Sequence, residues 1–284
     1  MVAVLLALAA AAGYGGSDFA AGLAARKASV VRVTVLVEVT STVLLICVIP
    51  FISSQAPSLA SALWGAGAGA SGVAGALALY LGFRYAAFSV ASSISAVGTA
   101  TFSVLAGLAL GERPGSLSLI GICLALPAIV GVSASTSQAA PGQHRHAAGV
   151  GLGLAAGAGF GLFFIGLDRA GSGTDLWPIV ISQVTATVTV ACVAAATRDL
   201  GLPPAGTRRL SLLTGVIGAT GTSMFFLATH HGLLAITAVI TSLYPAVTIL
   251  LARVLLGERL TPLRIAGLCF AASSVGLIAA GGAG

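Results

Sequence analysis

Only 7% of the 284 residues are charged, the mean hydropathy is +1.07 and the formal net charge is +6. Soluble domains carry about a quarter charged residues, and no water-soluble globule can hide this much apolar surface. The basic residues flank apolar runs, so the positive charge speaks for membrane topology and against a nucleic-acid partner.

Runs of about twenty apolar residues, long enough to cross a hydrocarbon core of about 30 Å, fall at 2–22, 31–52, 60–83, 86–110, 116–136, 148–167, 176–196, 209–229, 233–256 and 262–282. They predict an all-α integral membrane protein of ten transmembrane helices. The first run has no basic leader and passes through Asp18 into the second, which reads as a retained helix and not a cleaved signal peptide. Asp18 lies two turns from Arg26, too far for direct contact in a straight helix. Its partner is expected on another helix, as a gate or substrate ligand or as a structural carboxylate at the interface.

The second run carries Glu38 about a third of the way in. A mid-membrane charge costs about 2.5–3.5 kcal/mol on insertion scales, which makes a retained one a functional candidate. Glu38 either faces a cavity, to take a proton or pair with a substrate amine, or snorkels toward Arg32 and the surface. The third run is rich in glycine (Gly65, Gly67, Gly69, Gly72, Gly75), suited to close helix packing, and contains Tyr80 and ends near Arg84. In the fourth run Ser89, Ser92, Thr99 and Ser103 follow helical spacing, with Ser93 and Ser95 beside them; in the ninth, Thr237, Thr241, Tyr244 and Thr248 do the same. Such stripes line an aqueous path or glue helices together. Pro245 should bend the ninth helix. Thr261-Pro262 reads as N-cap and first position of the tenth.

A shift of 146 superposes 246–271 on 100–125 with more than a third of the paired positions identical, including Leu-Gly-Glu-Arg at Leu110–Arg113 and Leu256–Arg259. The same shift pairs Ala12-Gly13-Tyr14-Gly15 with Ala158-Gly159-Phe160-Gly161. A shift of 145 pairs 38–48 with 183–193, placing Glu38 opposite Gln183, at six of eleven identities. The chain is a tandem duplication: one repeat over 1–137, a Pro/Gly/Gln-rich linker at 138–147, and a second repeat over 148–284. The repeat also pairs Cys47 with Cys192 and Cys123 with Cys269, which reads as copied, buried packing positions and not as a disulfide or metal framework.

Five spans per repeat make the second copy enter the bilayer upside down. Eleven of the thirteen Lys and Arg follow odd-numbered spans and only Arg113 and Arg169 follow even ones, so the charge rule predicts cytoplasmic odd loops and both termini outside. Arg84 and its register partner His230 close the third and eighth spans at opposite faces, as gates or as interfacial anchors.

Two five-helix repeats, each with an aromatic-Gly pair in its first helix (Tyr14-Gly15, Phe160-Gly161) and Leu-Gly-Glu-Arg closing its fourth, resemble the EamA-type branch of the drug/metabolite transporter superfamily across 2–282. The resemblance implies a carrier that exports or exchanges small metabolites such as amino acids, with a central cavity lined mainly by helices 3, 4, 8 and 9 and the termini inside. It places the protein in the cell membrane as a multi-pass monomer or homodimer, without a cofactor or metal. On this reading Tyr14, Glu38, Tyr80, Ser92, Ser95, Gln183 and Tyr244 are candidate substrate ligands. Asp18, Glu38, Arg84 and His230 are candidates for gating or coupling to H⁺. A membrane-embedded enzyme would need convergent catalytic polar groups, yet the four histidines sit in two connections; a channel would need rings of like charge.

Overall fold

The computed structural model describes residues 1–48, 57–85, 88–133, 143–171, 176–257 and 261–281, and gives the backbone alone for 83, 84, 88–90, 132, 133, 143–147, 252 and 256. Its elements, in chain order, are α1 (Val2–Ala25), α2 (Val30–Val48), α3 (Leu59–Tyr85), α4 (Phe88–Ala109), α5 (Ser116–Ser133), α6 (Gln143–Arg169), α7 (Trp177–Ala196), α8 (Ala205–His230), α9 (Leu234–Thr241), α10 (Tyr244–Leu256) and α11 (Pro262–Gly281). The fold is all-helical over the described residues. Among the described residues nine segments are long and apolar enough to cross a membrane, α9 and α10 together forming one of them, and Ser116–Gly131 in α5 is a shorter apolar helix. The protein is therefore a multi-pass membrane protein. Of the predicted linker at 138–147, residues 138–142 lie outside the described residues, whereas 143–147 are helical and begin α6, five residues before the predicted start of the second repeat.

The predicted ninth helix is broken. Pro245 has no N–H to give to the carbonyl of Thr241, and the chain tightens there into three-residue bonds, Leu243 N–H to Ile240 O at 3.1 Å and Ala246 N–H to Leu243 O at 2.9 Å. At the start of α11, Thr261 Oγ1 accepts the N–H of Arg264 at 3.3 Å, with Pro262 as the first helical residue.

Helix pairing reproduces the duplication. α1 packs on α8 and α6 packs on α3; α2 packs on α8 and α7 on α3; α4 packs on α6, and α10 and α9 pack on α1. Each of these pairs becomes the other when the repeats are exchanged, while α2·α7, α4·α9 and α5·α11 map onto themselves. The contacts repeat in atomic detail. A Cβ placed on Gly13 would stand 2.7 Å from Gly221 Cα, and one on its twin Gly159 would stand 2.8 Å from Gly75 Cα, itself the twin of Gly221. A pseudo-twofold relates the halves, and five spans per half invert one relative to the other.

Packing relies on small residues: Ala7, Ala10, Ala21, Ala24, Ala96 and Ala100 are almost completely buried. Large apolar side chains such as Leu5, Val43, Leu63, Leu105, Val188 and Val254 point outward, as expected for helices whose solvent is lipid. The cysteines correct the expectation of burial, because all four are exposed on the helix surfaces. In mid-span that surface meets acyl chains, where a thiol is a small apolar group.

Leu-Gly-Glu-Arg ends helices by a defined mechanism. Gly111 (φ +93) and its twin Gly257 (φ +68) take the left-handed conformation that closes an α-helix. In the first copy Gly111 N–H reaches Leu108 O at 3.1 Å and Glu112 N–H reaches Gly107 O at 2.9 Å. The turn throws the Glu112 carboxylate across the repeat boundary. Its two oxygens accept the N–H groups of Leu234 (2.6 Å) and Ala235 (2.8 Å), the first two residues of α9. An anion on these orphan donors also meets the positive end of the helix dipole.

Candidate functional site

The pseudo-twofold axis runs between α2 and α7, because residues there touch their own duplicates. Gln183 Nε2 donates to Glu38 Oε2 at 3.2 Å. One turn on, Thr42 and its twin Thr187 are 2.8 Å apart. Thr42 gives its single proton to Gln183 O at 3.0 Å, so Thr187 is the donor to Thr42.

Beside this axis lies a cavity of about 100 Å³, room for several water molecules. Both repeats line it, through α1, α2, α3, α4, α6, α7, α8 and α10. Helices 1, 2, 6 and 7 thus contribute as much as the four that the family resemblance implied. Tyr14, Asp18, Glu38, Tyr80, Gln183 and Tyr244 all line it, together with Ser17, Ser41, Thr99 and Thr222. Glu38 therefore does not snorkel to Arg32. That arginine pairs instead with Asp199, its Nε 2.7 Å from Oδ1, and Ser29 also donates to Asp199.

Several lining groups are fixed by bonds that reach across the repeats. Tyr14 OH donates to Thr222 Oγ1 at 3.1 Å, Ser17 to Thr214 O at 3.3 Å and Ser41 to Gly215 O at 2.9 Å. Tyr244 is 5% exposed and lines the cavity, its hydroxyl buried beside Ser95. Tyr14 and Tyr80 each stand within electrostatic range of both Asp18 and Glu38, and Tyr244 within range of Asp18.

The polar stripes divide. Thr99 and Tyr244 reach the cavity. Ser92, Ser95 and Ser103 are buried but do not line it; Thr241 and Thr248 tie helices together, donating to Ala7 O at 3.4 Å and Gly15 O at 3.1 Å, and Thr237 donates to Leu233 O at the start of its own helix at 3.1 Å. His230 is also away from the cavity. It caps the end of α8 with Nδ1 2.7 Å from Phe226 O and its ring against the Phe226 ring. The side chain of Arg84 lies outside the described residues. Among the described residues no three His, Cys, Asp or Glu come together as a metal site.

One wall is aromatic: Phe160, Phe163 and Phe164 face the cavity. Behind them Phe164 stacks on Phe225 with centroids 3.9 Å apart, and Phe226 continues the cluster with Ile179 and Leu234. Ile179 and Leu234 begin α7 and α9, and Phe225 and Phe226 lie near the end of α8, so this plug closes the cavity toward the face that carries the even-numbered connections. Sequence reasoning missed Phe163 and Phe164, although the repeat register contains the signal: they are the twins of Ser17 and Asp18.

With the geometry in place, comparison with known families is decisive: the EamA-like transporter family model matches residues 1–134 and again 147–280. The chain belongs to the EamA-like transporter family. The family is one of membrane transporters, and the chain has its two-repeat architecture. A solved structure titled only "Crystal structure of protein" superposes with a TM-score of 0.75 at 14% identity, covering 97% of this chain and 95% of that one. At that identity it speaks for the fold alone. No curated protein matches this chain.

Proposed function

We propose that this EamA-like protein is a secondary carrier of the cell membrane that exports or exchanges small, partly polar metabolites by alternating access. The observation that supports this reading is the cavity on the pseudo-twofold axis, walled by both repeats and holding Asp18 and Glu38 at membrane depth. A site on the axis of an inverted repeat can be exposed to either side by rocking one half against the other. The aromatic plug and the Glu112 bond to α9 hold the even-numbered face closed in the conformation described here. Opening that face requires Glu112 to leave the α9 terminus.

Coupling to H⁺ is assigned to Asp18 and Glu38, and solute binding to Tyr14, Tyr80, Gln183 and Tyr244 around them. Each carboxylate holds a proton or a solute group in alternation, which links the two fluxes. Reconstitution in liposomes tests the carrier. A metabolite library should reveal a solute with saturable uptake and acceleration by the same solute on the opposite side, whereas unsaturable conductance would establish a channel. Once that solute is known, Glu38→Gln should abolish the response of its uptake to a pH gradient. Full retention of that response would remove Glu38 from the coupling.

A further inference from the structure

Duplication makes the cavity a comparison of each residue with its own copy, and the two copies have diverged in one direction. Tyr14, Ser17 and Asp18 on α1 correspond to Phe160, Phe163 and Phe164 on α6, and all six line the cavity. On α2, Glu38 and Ser41 correspond to Gln183 and Ala186 on α7. On these four helices the first repeat supplies the carboxylates and hydroxyls and the second supplies three aromatic rings and a neutral amide, while Thr222 and Tyr244 add hydroxyls from elsewhere in the second repeat. Among the described residues no Lys, Arg or His lines the cavity, and the Arg32–Asp199 pair is engaged elsewhere.

Two carboxylates lining one low-dielectric space, with no basic group among the described lining residues, are neutralised by what enters. Tyr244 adds a buried hydroxyl beside Ser95, able to accept an N–H or donate to a solute oxygen. The rings opposite offer an apolar surface and the negative faces that attract an ammonium. We infer that the cargo is an amphipathic organic cation, an amine or quaternary ammonium carried on an aromatic or aliphatic body, its charge held between Asp18 and Glu38 and its body against Phe160, Phe163 and Phe164. This inference rests on the carrier reading for its physiological meaning and narrows the metabolite expectation. A zwitterionic amino acid would bring a carboxylate with no cation among the described lining residues to receive it.

Equilibrium binding to the purified full chain in detergent separates the cation question from the transport question. The probes share a scale and differ in charge and body: benzyltrimethylammonium, tetramethylammonium, phenylalanine and phenylacetate. We expect benzyltrimethylammonium to bind at least tenfold more tightly than each of the other three. Asp18→Asn and Glu38→Gln should each weaken it tenfold or more. Gln183→Lys, which places an internal ammonium beside Glu38, should do the same while melting within a few degrees of the parent. Equal or tighter binding of phenylalanine or phenylacetate overturns the inference, as does the absence of binding by any probe. So does undiminished cation affinity in a folded Asp18→Asn/Glu38→Gln double variant. The wild-type probe series stands even if a variant fails to fold. Saturable counterflow of a zwitterion or an anion would leave the carrier intact and remove only the cation.

Discussion

Glu112 illustrates how a motif residue can be conspicuous in sequence while its task is invisible. Gly-Glu-Arg marks the end of a helix in both copies, and Gly111 explains its own place by its left-handed turn. Nothing local says that the carboxylate will satisfy Leu234 and Ala235, more than a hundred residues away. Charge-assisted bonds of this kind contribute about 1.5–3 kcal/mol each before the coupling between them is considered. Glu112→Ala should therefore destabilise the closed even-numbered face. The expected result is faster labelling of a cysteine introduced at Leu233 by a membrane-impermeant maleimide, in a background lacking the four native cysteines. Unchanged labelling would mean that the bond does not hold the face shut. The cavity residues were legible to different degrees. Glu38 and Asp18 stood out because charge is costly in a bilayer, and Tyr14 and Gln183 through the repeat register. Ser17 and Ser41 carried no signal beyond lying one residue and three residues from those acids.

Among the elements, the closest helix pairs are those that glycine permits. α1 crosses α8 at Gly13 and Gly221, and α6 crosses α3 at Gly159 and Gly75. Because a Cβ at either first member would stand under 3 Å from partner backbone, Gly13→Ala and Gly159→Ala must push helices apart. Overpacking of this sort costs about 1–3 kcal/mol. The two variants should lower the melting temperature in detergent to a similar extent, because their environments are copies. A large effect from one and none from the other would show that only one crossing is rigid. Helix existence was readable from hydropathy, and the break between α9 and α10 was readable from Pro245. The burial of the serine stripe on α4 was not: helical spacing identifies a face, but which neighbour the face meets depends on how α6 and α9 are placed around it.

At the scale of the molecule, the duplication was plain in the sequence and its axis was not. Aligning the repeats pairs Glu38 with Gln183, but only the assembled bundle puts the two side chains in contact, and that contact locates the axis. The odd number of spans in each half implied inversion, and the interchange of helix pairs agrees with it. The Lys and Arg count and the family resemblance point to opposite orientations of the termini, a question of insertion that lies outside the fold itself.

Two identical inverted halves would make the inward-facing and outward-facing forms equal in energy, since turning the molecule over would convert one into the other. The lining does not permit that equality: both acids ride on one half, and the phenyl rings ride on the other. On the alternating-access proposal, an empty carrier built this way has a preferred resting side. Its two strokes differ in cost, and its preference for loading from one compartment is written into the residues by which the twin halves have parted.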